Sequence, residues 1–431
     1  MYVLASTLGV FALILILGRL KVPLALAIII GAVVIGLLLG LGPGQVALAA
    51  GVGAIREASI GLLVITVLQL VLSGAMQAGG QMEEIVSFAR AVLRRPAAAM
   101  AALPALIGLL PMPGGAIFSA PMVESAAGKE PVGAAKLSAI NYWFRHIWEH
   151  WWPLYPGVLV AMTLTGSSYG AFAAAQLPLG VFMAASGLLI FRRTHPNLRA
   201  SSPPPPVGTK RKLFLAGSSI WIIILMVVPA SFLARLLPKD AMPKPTFDAI
   251  DKFGPIALGL LASVTWTIRR NRLGAKAMGR ILLGRTIYSM VGLVVGVMVF
   301  QYMLERTGAA GGIARELRSL HVPVMLVVMI LPFIAGAVTG LAVGFVATSF
   351  PIVIPLVQAL VGGGSILPHM ALAYAFGHLG QMMSPLHLCQ VVSNRYFNTP
   401  FGPVYRQFVP SAILTAALTV TYFLILRTVM G

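Results

Sequence analysis

The chain has 431 residues, 58% of them hydrophobic and 10% charged, with a formal net charge of +20. Soluble domains carry about 25% charged residues, so this composition excludes an ordinary soluble enzyme and indicates an integral membrane protein. The single cysteine, Cys389, excludes an internal disulfide and is read as offering nothing for a thiolate metal site.

Apolar stretches of the roughly 20 residues that a spanning helix needs run over 2–18, 22–41, 58–78, 170–191, 213–237, 286–304 and 409–426. No secretory signal peptide is evident. The first stretch has no basic residue before it and Arg19 and Lys21 after it, so it is expected to remain as a helix with its N terminus outside. Segments 192–212 and 269–285 are basic without an acid, whereas 238–252 sets Lys239, Lys244 and Lys252 against Asp240, Asp248 and Asp251. The positive-inside rule puts the first two in the cytoplasm and the third outside. The positive charge is therefore a topology signal; the partner it implies is the lipid bilayer and not nucleic acid.

The segment from Tyr142 to Leu154 recurs from Tyr374 to Leu386. Tyr, Phe, His, Pro and Leu all keep one separation, 232 residues, as from His146 to His378. Pro23 with Pro255 and Gln69 with Gln301 keep it too. Leu103-Pro104 answers Leu331-Pro332, and Ser119-Ala120-Pro121 answers Ser349-Phe350-Pro351, after a small gap. The chain thus reads as two copies of one unit, 1–191 and 213–431, joined by the basic, Pro-rich cytoplasmic linker 192–212.

With the basic loops held inside, the copies run in opposite senses. Each contains a polar amphipathic stretch (81–95, 305–318), a Pro- or Gly-broken apolar stretch (97–128, 322–362) and an interrupted helix (136–165, 367–394). The alternation survives only if each broken stretch enters and leaves on one side. Non-helical backbone at membrane depth must be buried in protein or line an aqueous cavity. The expected fold is an all-α polytopic membrane protein with inverted-topology repeats, about ten transmembrane helices and two re-entrant helical hairpins meeting near the midplane. Membrane proteins built this way are most often transporters. No Walker-type phosphate loop is present, which argues against a primary pump.

The candidate site follows from these breaks. Pro113, Gly114 and Gly115 leave backbone amides free beside the Ser119 hydroxyl and a helix N terminus, a setting for an anion; the alternative is a plain turn. Thr339, Gly340, Thr348 and Ser349 play that part in the second copy. Arg145 and Glu149, four residues apart and so on one helical face, form either an internal ion pair or a binding pair. In the second reading Arg145 takes an anionic substrate and Glu149 a proton or cation, and intramembrane charges favour it because their burial is expensive. Gly377 and Gln381 replace them in the second copy, so the site is asymmetric. His146 and His378 are kept in both copies, either as proton carriers or as structural hydrogen-bond partners; His387 takes the place of Tyr155 and, with Gln381, is assigned to ion or proton coupling beside them. Asn141 and Ser384 complete the substrate-binding set. Trp143, Trp148, Trp151 and Trp152 either wall a cavity or lock the broken helix by packing.

His146, Glu149 and His150 also fit the H-x-x-E-H pattern of a zinc protease. Pro153 breaks the helix that would carry those ligands, and the second copy keeps one of the three. No metal site and no catalytic residue are assigned.

The run from Leu110 to Pro121, followed by Asn141-Tyr142-Trp143-Phe144-Arg145-His146, resembles a family of prokaryotic membrane proteins of unknown function. That family is grouped with the ion-transporter superfamily, beside divalent-anion/sodium symporters and citrate, arsenite and gluconate permeases. The resemblance covers nearly the whole chain. It implies a dimerising scaffold domain, a mobile transport domain, hairpin tips at 113–119 and 339–349, and elevator-type movement. The paired Ser-Asn-Thr tips of the dicarboxylate symporters are missing, so ligands do not transfer from that group.

The resulting expectation is a homodimeric secondary transporter in a prokaryotic cytoplasmic membrane. It moves a small anion, a carboxylate in the first instance, with H⁺ or Na⁺ as coupling ion and no other cofactor. The alternative is a cation/proton antiporter or channel with Glu149 as the exchange site.

Overall fold

The computed structural model describes residues 1–93, 95–109, 115–128, 131–152, 154–192, 206–236, 238, 242–319, 323–361 and 364–430. Among these residues the chain is all helical, without a strand. Six helical segments are long and apolar enough to cross a membrane, with shorter apolar helices between them.

The first copy opens with α1 (Tyr2–Arg19), α2 (Leu24–Leu38), α3 (Pro43–Ile55) and α4 (Glu57–Ala78), then the amphipathic α5 (Gln81–Val92). Next come α6 (Pro96–Gly108) and α7 (Ala116–Ala127), which pack on each other, and α8 (Ala134–Arg145), α9 (Pro156–Thr165) and α10 (Tyr169–Gly187). Most of the linker, 193–205, lies outside the described residues.

The second copy runs α11 (Thr209–Ala216), α12 (Ser218–Arg235), α13 (Lys244–Arg270), α14 (Ala275–Leu282), α15 (Arg285–Arg306) and the amphipathic α16 (Ala309–Ser319). It ends with α17 (Val324–Thr339), α18 (Ala342–Val361), α19 (Leu367–Met383), α20 (Leu388–Tyr396) and α21 (Phe401–Met430).

Helices in lipid gain little from the hydrophobic effect against one another, so close backbone approach through small residues decides which of them pack. Helix α15 crosses α2 and α3 in this way. A Cβ at Gly296 would meet the Ala25 carbonyl at 3.0 Å, and one at Gly53 would meet the Val299 Cα at 3.0 Å. The amphipathic α16 closes the N-terminal end of α1, where Glu316 accepts the Val3 and Leu4 amides at 3.1 and 2.7 Å. Those amides belong to a first turn, which has no partners inside its own helix.

The same device seats the broken helices, once in each copy. A Cβ at Gly108 of α6 would strike the Arg145 carbonyl, and one at Gly336 of α17 would strike the Gly377 carbonyl. Arg145 and Gly377 are repeat partners. Glycine is required at both places because backbone lies against backbone.

Candidate functional site

Helix α8 stops at Arg145, and residues 146–151 form turns before α9 begins at Pro156. The second break is shorter: α19 ends at Met383 and α20 starts at Leu388. Pro153 lies outside the described residues, as do Pro113 and Gly114.

The first break is held by its aromatics. Trp148 Nε1 donates to the Ala105 carbonyl at 2.7 Å, Trp152 Nε1 to Leu109 at 2.9 Å, and the Tyr155 hydroxyl to Gly108. These are carbonyls at the C-terminal end of α6, which an ending helix leaves without partners. The indoles therefore cap the hairpin arm as well as pack, a role that composition could not reveal.

Each copy also reaches into the other's break. Tyr142 donates to the Met382 carbonyl at 3.1 Å, and its repeat partner Tyr374 donates to the Glu149 carbonyl at 2.8 Å. Asn141 Nδ2 ties α8 to the Ala116 carbonyl at 3.1 Å and to Ser393 Oγ at 3.0 Å.

Arg145 and Glu149 do not share a helical face as expected, because the helix ends between them. The Arg145 guanidinium, 2% exposed, lies over Gly115 at the start of α7, where any Cβ would strike it. The second copy fills the corresponding space in reverse. There the ring of Phe345, which answers Gly115, lies over Gly377, which answers Arg145. One contact is thus built with a cation over glycine and the other with a phenyl over glycine.

Glu149 turns to a different set of groups. Its Oε2 accepts Gln381 Nε2 at 2.8 Å and lies 3.5 Å from His378 Nε2, while Oε1 lies 3.8 Å from His146 Nε2. The His150 ring packs on that of His378, with centroids 4.3 Å apart and the planes inclined at 55°. His146 Nε2 is 3.0 Å from His387 Nε2. Gly340, with a left-handed φ of 64°, brings the second hairpin turn against the second break: a Cβ there would meet the His387 amide at 3.0 Å and Ser384 Oγ at 3.1 Å.

The hydroxyls of the other candidates are engaged locally. Thr339, Thr348 and Ser349 donate their hydroxyls to carbonyls four residues back in their own helices, Ala335, Gly344 and Phe345. Ser119 is buried and turns to the Ala116 carbonyl at 3.4 Å. Ser384 Oγ accepts the Leu386 amide at 3.3 Å. The H-x-x-E-H residues lie in a turn and not on a helix. Among the described residues, a ring nitrogen of His146 lies within 4.8 Å of a ring nitrogen of His387 and of the Cys389 sulfur, a cluster that does not include His150. A cavity of about 1060 Å³ lined by Arg56, Tyr169, Asp248, Asp251 and Lys252 lies apart from this cluster and shares no residue with it.

The model of a family described as "Protein of unknown function (DUF401)" matches residues 2–228 and 253–426. No curated protein matches the chain. Among solved structures the chain is similar to the YdaH transporter of Alcanivorax borkumensis, at 17% identity over 85% of each chain and a TM-score of 0.52. It is also similar to MtrF of Neisseria gonorrhoeae, described with a class of antimetabolite efflux pumps. That match has 14% identity, 87% of this chain and 82% of that one covered, and a TM-score of 0.49. The likeness to YdaH shows a shared fold.

Proposed function

The chain belongs to the DUF401 family of proteins of unknown function, and from that premise we propose that it is a secondary active transporter of a small anionic solute, in the first instance an organic carboxylate. The observation that carries this reading is the Arg145 guanidinium, buried over Gly115 at the N terminus of α7, in a place that the second copy fills with Phe345. A guanidinium beside a helix N terminus offers an anion both a fork of donors and a positive dipole end. The fold shared with a transporter supports the class of activity.

The coupling ion, H⁺ or Na⁺, acts at Glu149 with Gln381 and His378 around it. The two copies are read as inverted repeats, with the hairpins α6–α7 and α17–α18 and the broken helices α8–α9 and α19–α20 as a mobile transport domain. This unit moves in elevator fashion against a scaffold built on α2, α3 and α15, as a homodimer in a prokaryotic cytoplasmic membrane. Membership of the wider ion-transporter superfamily belongs to the same proposal.

Proteoliposomes under imposed H⁺ or Na⁺ gradients, offered a panel of mono- and dicarboxylates, test it. Uptake of at least one anion is expected, with loss in Arg145→Gln. No anion flux that depends on Arg145 would sink the proposal. The second reading, a cation/proton antiporter, draws on the position of Glu149 between His146 and His378. It requires proton release on Na⁺ addition without any organic solute.

A further inference from the structure

Next to the anion site lies a set of side chains that anion binding at Arg145 does not use. A ring nitrogen of His146, a ring nitrogen of His387 and the sulfur of Cys389 lie within 4.8 Å of one another. They come from the first break, the second break and the first turn of α20. All three are buried, at 1%, 5% and 6% exposure.

The hydrogen bonding prepares these atoms for a cation. His146 Nδ1 lies 2.6 Å from the Tyr142 carbonyl, which can only accept, so that nitrogen carries the proton. Nε2 of the neutral ring then presents a lone pair, and it points at Nε2 of His387 at 3.0 Å. A backbone carbonyl that fixes the tautomer of a ligating histidine is a recurrent support of metal sites.

The separations suit a small tetrahedral ion. With Zn–N bonds of about 2.0–2.1 Å and Zn–S bonds of about 2.3 Å, ligand nitrogens sit about 3.3 Å apart and nitrogen to sulfur about 3.6 Å. The two nitrogens, 3.0 Å apart, are already near that spacing, and the sulfur lies within 4.8 Å of both.

We infer that His146, His387 and Cys389 form a binding site for a soft or borderline transition-metal ion, Zn²⁺ or Cu⁺, shared between the two copies. Imidazole with thiolate selects these ions over Mg²⁺ or Ca²⁺, which prefer oxygen. The ligand set exists only once in the chain. The first-copy partners of His387 and Cys389 are Tyr155 and Gly157, neither of which offers a nitrogen or sulfur ligand. The site goes beyond the anion reading and holds or fails independently of it, because metal binding is measured without transport.

Tag-free, chelator-washed full-length protein in nanodiscs is titrated with Co²⁺ as the probe. A stoichiometric thiolate-to-cobalt charge-transfer band in the near ultraviolet is expected, together with tetrahedral ligand-field bands in the visible, both displaced by Zn²⁺. Cys389→Ser loses the charge-transfer band, His387→Ala loses both sets, and His369→Ala changes neither. No charge-transfer band in the wild type, or one that survives Cys389→Ser, overturns the site.

A second measurement needs no variant. Cys389 is the one cysteine in the chain, so labelling by a small thiol reagent reports on it alone. Zn²⁺ is expected to slow that labelling at least tenfold, and an unchanged rate overturns the proposal.

Discussion

Glu149 and Gln381 hold the same place in the two copies, 232 residues apart, and they meet: Gln381 Nε2 donates to Glu149 Oε2 at 2.8 Å. The histidines one turn before them, His146 and His378, also correspond, and both lie within 4 Å of the same carboxylate. The copies therefore touch through equivalent positions, with a carboxylate on one side and an amide on the other. A second carboxylate there would set two buried like charges in contact.

Gln381→Leu removes this amide donor and leaves the buried carboxylate short of a partner. A buried group stripped of its hydrogen bond costs about 1–3 kcal/mol, so the variant should melt at a lower temperature in detergent. Glu149→Gln keeps an acceptor opposite Gln381 and should melt close to the wild type while losing ion-driven uptake. Equal melting of Gln381→Leu and the wild type would refute this account of the pair.

Gly108 and Gly336 make the second test. Alanine at either puts a methyl onto a carbonyl of the adjoining broken helix, Arg145 or Gly377, and neither backbone can step aside cheaply. Overpacking of this kind costs about 1–3 kcal/mol. Gly9→Ala, with nothing within 4 Å of the new methyl, is the control and should be neutral or slightly stabilising. Thermal melting of the three variants decides it.

The reversed contacts allow a sharper experiment. Gly115→Phe combined with Arg145→Gly gives the first copy the phenyl-over-glycine arrangement of the second. The double variant should fold and elute like the wild type, yet bind its anion roughly 10- to 100-fold more weakly. That is the effect of losing a charge-assisted hydrogen bond worth about 1.5–3 kcal/mol. Undiminished affinity, measured by substrate-induced stabilisation, would remove Arg145 from the binding site.

Much of this was legible in the sequence because membrane spans and repeats are written in composition and spacing. The apolar runs 58–78 and 286–304 became α4 and α15, and the duplicated motif marked both breaks. What remained hidden depends on contacts between residues distant in the chain. Spacing shows that Glu149 and Gln381 correspond, but not that they touch. Counting cysteines set Cys389 aside, since only the fold brings it to His146 and His387. The Trp148 and Trp152 indoles read as cavity wall or packing because the carbonyls they cap belong to α6, some forty residues earlier. Thr348 and Ser349 fit an anion site on paper, yet a hydroxyl in a helix readily bonds the carbonyl four residues back.

The contact of Glu316 with the start of α1 predicts a pH dependence outside the membrane-spanning segments. Its carboxyl is held below the usual range, first by the Leu4 amide and further by the Val3 amide, which outweigh partial desolvation. A carboxylate whose folded value is depressed contributes stability that is fully present above its unfolded value and is lost as pH falls through the folded one. Melting measured from neutral pH downward should therefore fall further in the wild type than in Glu316→Gln. The two curves should converge at acid pH, where both side chains are neutral. Curves that stay parallel across that range would show that the carboxylate does not hold the N terminus of α1.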